Sequence, residues 1–164
     1  MVRTCKLAGV FLLVAAIAAC SKKPQEQLAQ SARGGLSGPV TPGSAREFAV
    51  NVGDRVFFTT DSSQLTPQAQ RTLGRQAQWL KRYPQFSITI EGHADERGTR
   101  EYNIALGARR ATSVKTFLAG LGVGAHRLRT ISYGKERPVA VCDDISCWSQ
   151  NRRAVTKLNG RAGS

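Results

Sequence analysis

The alternation of apolar and polar residues from position 86 to 91 predicts a β-strand. Phe86, Ile88 and Ile90 alternate with polar side chains, which is the period of a strand with one buried face. A polar loop follows, and Thr99 is a candidate N-cap for a long helix. Along that helix, apolar residues recur at helical spacing as a predicted core stripe: Ile104, Ala108, Ala111, Val114, Leu118 and Leu121. We expect this strand, loop and helix to organise the fold.

Three further strands and one further helix are predicted outside that segment. Residues 55–58 are a short apolar strand, and Thr66 followed by Pro67 is a typical helix start. Residues 128–133 and 154–158 are two more strands. The order β-α-β-α-β-β predicts an α/β fold (an α+β sandwich) with two main helices packed on one mixed sheet.

The first twenty residues determine the predicted compartment. Arg3 and Lys6 precede an apolar run at 7–19 that is too short to span a bilayer comfortably. The run ends in small residues before Cys20, which resembles the bacterial lipobox and implies that Cys20 is lipidated. Ser21 in the next position favours the outer membrane by the same resemblance. The alternative is an ordinary secretory leader in which Cys20 is incidental.

These features divide the chain into four expected parts. Residues 1–19 are a lipoprotein signal peptide, and residues 20–50 are a lipidated N-terminus with a flexible tether rich in Lys, Pro, Gln, Gly and Ser. Residues 51–160 form one globular domain, and residues 161–164 are a C-terminal tail. The domain is long enough to bury a core of its own.

The chain carries a formal net charge of +13 at pH 7, which favours an anionic partner. Nucleic acid is the generic alternative. The leader and the absence of interleaved surface aromatic residues argue against it, so we expect no nucleic-acid partner. Lipid headgroups and the carboxylates of peptidoglycan are the anions that an envelope protein meets.

Several polar and charged side chains are expected to lie together where the central strand leads into the long helix. The residues that carry it lie in the loop or beside the core stripe on one side of the helix: Asp95, Arg97, Asn103, Leu106 and Arg110. Asp95 can accept hydrogen bonds from an ammonium group, and Arg110 can fork onto a carboxylate, so a small zwitterion is a suitable ligand. Alternatively, Asp95 and Glu96 only cap the helix and pair with Arg97 or Arg100.

Several separated blocks of this sequence resemble the OmpA-like carboxy-terminal domain family. They are TIEGHADERGTREYNIALGARRATSVKTFL, ISYGKERP and NRRAV, and the resemblance covers roughly residues 55–158. The family binds the stem peptide of peptidoglycan non-covalently, chiefly at diaminopimelate. The resemblance places the binding pair on Asp95 and Arg110. It places supporting or further contacts on Arg97, Asn103, Leu106 and Asp61. Residues 58–61 read Phe-Thr-Thr-Asp where the family often has Phe-Asp-Phe-Asp.

The lipid-anchored members of that family imply a wider role. By resemblance, the chain is anchored in the outer membrane with its domain in the periplasm, and it tethers the membrane to the wall. The resemblance also implies membership of the Tol–Pal system, with TolB and other Tol proteins as partners, and a part in envelope integrity and constriction at cell division.

Two cysteines, Cys142 and Cys147, remain after the leader and the lipidation site are removed. In an oxidising periplasm we expect them to form a disulfide. A zinc site is disfavoured because their spacing is too wide for CxxC and neither His93 nor His126 has a regular relation to them. We expect no metal and no cofactor.

An enzyme that acts on the wall is the remaining alternative. Acid and base could be supplied by Glu91, His93, Asp95 and Glu96, but no nucleophile or complete metal set accompanies them. We therefore expect a binding protein rather than an enzyme, and we interpret His93 as a structural residue.

Overall fold

The computed structural model describes residues 40–161. The predicted leader, the predicted lipidation site at Cys20 and most of the predicted tether lie outside the described residues. Within the described part, none of the helices has both the length and the apolar character needed to cross a membrane.

Four strands form one mixed sheet in the order β1-β4-β2-β3. They are β1 (Arg55–Phe57), β2 (Phe86–His93), β3 (Leu128–Gly134) and β4 (Arg153–Arg161). β4 runs antiparallel to both of its neighbours, whereas β2 and β3 are parallel. The sheet joins the first and last strands at one edge, so the two ends of the domain meet there.

Two long helices, α1 (Pro67–Arg82) and α2 (Arg100–Gly120), pack on the sheet. Each begins at a threonine whose hydroxyl accepts a hydrogen bond from a backbone N–H of the first turn, which satisfies a donor that the helix itself cannot. Thr66 accepts from Ala69 at 3.1 Å and Thr99 from Tyr102 at 3.2 Å. The predicted fold, with two main helices on one mixed sheet, is confirmed.

The buried side of α2 differs in part from the predicted core stripe. Ala111, Val114 and Leu118 are fully buried as predicted, but Ala108 is exposed and Leu121 is 37% exposed. The buried side of the first three turns is instead made by four residues, which are Asn103, Leu106, Gly107 and Arg110. Polar side chains can lie there because this end of the helix borders a pocket, described below, rather than the apolar core.

Three helical elements were not predicted, and one of them is a single 3-10 turn at Ala125–Arg127. Residues 45–53 form a short helical segment in which Phe48 is 1% exposed, and the indole of Trp79 donates to Glu47 at 2.7 Å. These contacts anchor residues 45–50, which the sequence placed in the tether, to the domain. The third is α3 (Ile145–Asn151), whose first turn is capped by the carboxylate of Asp144.

The backbones of β2 and α2 touch because both carry glycine where they cross. A Cβ on Gly92 would collide with the backbone carbonyl of Gly107, and a Cβ on Gly107 would collide with the hydroxyl of Ser132. That hydroxyl donates to the carbonyl of Ile104 at 2.7 Å. The helix therefore lies directly on the strands, and this close approach sets the height of its first turns above the sheet.

We expect Gly92→Ala to destabilise the domain by about 3 kcal/mol, because the added methyl forces the two backbones apart. Gly74→Ala is the matched control: a Cβ there meets no atom within 4 Å, and alanine in a helix is favoured by roughly 0.5–1 kcal/mol. Urea denaturation of both variants measures the difference. A Gly92→Ala protein as stable as the wild type would contradict the close-packing account.

Candidate functional site

A pocket of about 250 Å³ opens where β2 ends and α2 begins. Its lining includes all six residues that the sequence marked for ligand binding, together with three that it did not mark. The full lining is Thr60, Asp61, Asp95, Arg97, Gly98, Tyr102, Asn103, Leu106 and Arg110. The structure thus brings the predicted residues from the loop, the helix and the β1–α1 connection to one place.

The loop between β2 and α2 is held in a fixed shape. Gly98 has a φ of +86°, a left-handed conformation that glycine adopts without strain, and Thr99 then caps the helix. The side-chain amide of Asn103 donates to the carbonyl of Arg97 at 2.7 Å. This bond ties the loop to the first turns of α2, so Asp95 and Arg97 are presented beside the helix.

Arg110 lies at the floor of the pocket and is the largest of the fully buried side chains. Its guanidinium donates from Nε to the carbonyl of Ser62 at 2.8 Å, from Nη1 to that of His93 at 2.8 Å and from Nη2 to that of Thr59 at 3.2 Å. These are neutral partners. No described carboxylate lies within ion-pair distance of Arg110.

Burial lowers the pKa of Arg110 to about 10, although Asp95 and Asp61 act in the opposite direction. The side chain remains a cation at pH 7, and its charge is poorly compensated by the protein around it. A buried cation of this kind favours an anion in the adjoining pocket. The expectation that Arg110 lies beside the buried stripe of the helix is also corrected, because its side chain is itself fully buried.

Asp95 faces the pocket with a carboxylate that is already bonded to two arginines. Its Oδ2 accepts from Arg97 at 2.6 Å and from Arg152 at 3.2 Å, and its Oδ1 accepts from the backbone and side chain of Arg97 at 3.3 and 3.4 Å. Burial acts to raise the pKa of Asp95, but these bonds outweigh it and the pKa is lowered. The carboxylate is therefore ionised at neutral pH. The alternative of pairing with Arg97 is the arrangement that this structure shows.

The sequence did not mark Arg152 and Tyr102, which bond to the two aspartates of the pocket. Arg152 is 6% exposed and also donates to the carbonyl of Phe58 at 3.2 Å, so it joins the β1 end to Asp95. Arg152 lies in the block NRRAV, which supports the family resemblance and could have indicated this residue. The other is Tyr102, whose hydroxyl donates to the carboxylate of Asp61. That bond raises the pKa of Tyr102.

His93 is buried at the end of β2 and has a structural environment. Among residues 40–161, neither ring nitrogen has a hydrogen-bond partner, and the ring centre lies 5.6 Å from that of Tyr133. Burial, followed by the nearby charges of Arg153, Arg137 and Lys157, lowers the pKa of His93 to about 4. The imidazole is thus neutral at pH 7. This packing agrees with the interpretation of His93 as a structural residue.

Cys142 and Cys147 are joined by a disulfide with their Cα atoms 5.6 Å apart, and the bond closes the segment that leads into α3. Among residues 40–161, no group of three or more His, Cys, Asp or Glu side chains is arranged to hold a metal ion.

Comparison with known proteins identifies similar sequences and folds. The OmpA family model matches residues 57–152. The chain is 65% identical over 150 residues to the peptidoglycan-associated lipoprotein of Mesorhizobium japonicum, covering 91% of this chain and 88% of that protein. It is 41% identical over 166 residues to that of Pseudomonas aeruginosa, covering 96% and 98%. The crystal structure of the peptidoglycan-associated lipoprotein from Burkholderia pseudomallei matches with a TM-score of 0.63 and 46% identity, covering 65% of this chain and 90% of that one.

We expect Arg110→Ala to cost at least about 3 kcal/mol of stability, because it leaves a cavity and three backbone carbonyls without their donor. Arg109→Ala removes an exposed arginine from the same helix and should change stability by no more than about 0.5 kcal/mol. Urea denaturation checks both. If the two variants unfold at the same urea concentration, Arg110 does not have the structural role assigned to it.

Proposed function

The chain belongs to the OmpA family and, within it, to the peptidoglycan-associated lipoproteins; from this premise we propose that its pocket binds the diaminopimelate-containing stem peptide of peptidoglycan. Members of this family are structural binding proteins of the cell envelope, and the chain is not an enzyme. The function proposed here is a non-covalent link between the outer membrane and the wall.

The observation that carries the proposal is the buried cation at the floor of a pocket whose rim bears carboxylates. The side chain of diaminopimelate ends in an ammonium group and a carboxylate. A guanidinium has five N–H donors, and three of those on Arg110 are bonded to carbonyls. One N–H on each terminal nitrogen is left, and together they suit the two oxygens of a carboxylate.

The ammonium group of the ligand has acceptors in the same pocket. Asp95 and Asp61 both line the pocket, and Asp95 remains ionised. Leu106 is 5% exposed and gives the peptide an apolar wall, while Asn103 and Arg97 border the same space. The pocket therefore has a donor floor, acceptor sides and one apolar surface, as binding a zwitterionic side chain requires.

The proposed anchor completes the link. We infer that residues 1–19 are a signal peptide, that Cys20 carries the lipid in the outer membrane and that the tether extends to about residue 44, where the domain contacts begin. Each buried methylene of an acyl chain contributes about 0.8 kcal/mol, so several chains hold the protein firmly. Membership of the Tol–Pal system, with TolB as a partner and a role in constriction, belongs to the same proposal and is supported by family resemblance.

We expect Asp95→Asn to weaken binding to purified sacculi at least about thirty-fold, because the amide removes the charge that matches the ammonium group. Asp61→Asn is a matched variant: its backbone has a φ of 53°, which asparagine tolerates, and it tests whether the rim carboxylate contributes separately. Cosedimentation measures binding, and a melting curve shows whether each variant is folded.

The ligand can be varied in the same experiment. A stem peptide with lysine in place of diaminopimelate keeps the ammonium but lacks the carboxylate that Arg110 is proposed to bind. Wild-type protein should prefer the diaminopimelate peptide. Retention of wild-type binding by a folded Asp95→Asn protein, or equal affinity for the two peptides, would falsify the proposed site.

Cys20→Ala should convert the protein from one that partitions into detergent to a soluble or unprocessed one, because the site of lipidation is lost. Cys5→Ala, which alters a cysteine inside the predicted leader, should leave partitioning unchanged. The measurement is detergent-phase partitioning of envelopes from which peptidoglycan has been digested. If the Cys20→Ala protein still enters the detergent phase after leader removal, the lipid assignment is wrong.

A further inference from the structure

Trp148, on the short helix α3, borders the proposed binding site without lining the pocket itself. Its indole Nε1 donates to the carboxylate of Glu96 at 2.8 Å, and the guanidinium carbon of Arg97 lies 4.2 Å from the centre of its ring. A guanidinium over an indole at this distance is attracted by the ring. Trp148 thus contacts both of the loop residues that follow Asp95.

The position of Arg97 matters because its donors take up most of the hydrogen-bonding sites of the Asp95 carboxylate. An ionised carboxylate has about four lone-pair sites. In this structure the backbone and side chain of Arg97 supply three donors to Asp95, and Arg152 supplies a fourth. A ligand ammonium can therefore bond fully to Asp95 only if the side chain of Arg97 withdraws. That side chain is 42% exposed, so it has room to move.

We propose that Trp148 is a positioning residue that keeps the guanidinium of Arg97 beside the pocket while Asp95 exchanges Arg97 for a ligand ammonium. The indole face attracts the displaced guanidinium, so its charge stays within reach of the anionic groups of the bound peptide. This inference rests on the proposed function and specifies how the same site takes up its ligand.

The segment that carries Trp148 is built to hold it in place. The disulfide between Cys142 and Cys147 closes the residues before α3 onto the helix, immediately next to Trp148. At the other end of α3, the side chain of Asn151 accepts from the backbone N–H of Val139 at 2.9 Å and donates to the carbonyl of Ala140 at 2.8 Å. The indole is thus held on a closed segment, and the 42% exposed side chain of Arg97 is the member of the pair that is proposed to move.

A double-mutant cycle tests this role. The protein is titrated with a diaminopimelate stem peptide as the wild type, Trp148→Ala, Arg97→Ala and the double variant. Trp148→Ala should weaken binding about two- to fivefold in the wild type and leave it unchanged in the Arg97→Ala background. Trp148→Phe keeps an aromatic face and should bind within about twofold of the wild type. Ile145→Ala, an exposed change on the same helix, is the control for general effects on α3.

The outcomes separate this inference from the proposed function. If the wild type does not bind the peptide, the proposed function itself fails. If it binds and Trp148→Ala binds equally well, only the positioning role is overturned. A loss of the same size in both backgrounds also overturns it, because Trp148 would then act independently of Arg97. So does equal weakening by Trp148→Phe and Trp148→Ala, because stacking persists in the phenylalanine variant.

Discussion

The buried guanidinium of Arg110 is the interaction on which the rest of this domain depends. Its three hydrogen bonds join α2 to the end of β2 at His93 and to the β1–α1 connection at Thr59 and Ser62. Thr59 and Ser62 lie in a connection outside the sheet and His93 is the last residue of β2, so the guanidinium supplies hydrogen bonds where the regular ladder ends. The close approach of Gly92 and Gly107 brings the helix near enough for the bonds to form. Packing therefore places the cation, and the cation then shapes the pocket.

In this structure, the guanidinium of Arg97 bonds to Asp95 at the position proposed for the ammonium group of a ligand. Arg97 stands at Asp95 where a ligand ammonium would stand, and it keeps a buried carboxylate satisfied in the meantime. Arg110 receives no comparable anion from the described residues, because its bonds go to carbonyls. A zwitterionic ligand would therefore bind differently at its two ends. Its ammonium group would have to displace Arg97 from Asp95, whereas its carboxylate would bind N–H groups of Arg110 that have no other acceptor among the described residues.

Features of the fold that depend on neighbouring residues could be predicted from the sequence, whereas features that depend on distant residues could not. The period of β2 and the caps at Thr66 and Thr99 are local, and the structure confirms them. The strand order depends on pairings such as Arg55 with Val155 and Ile88 with Leu128, which no local pattern reveals. The burial of Arg110 likewise depends on carbonyls 48 and 51 residues away. Trp148 was missed because α3 has only seven residues, too few for a helical period to be recognised.

Binding of a ligand carboxylate by Arg110, as proposed above, would have a thermodynamic consequence. A carboxylate that binds its remaining donors lessens the unfavourable burial of the cation, and it does so only in the folded state, where the floor of the pocket exists. Ligand binding must then stabilise the contacts that Arg110 makes with the β1–α1 connection and with the end of β2. A domain held at its binding site by the wall would resist unfolding there better than a free one. If the proposed function holds, the residue that shapes the fold would also couple its stability to attachment, which suits a protein proposed to link two layers of the envelope.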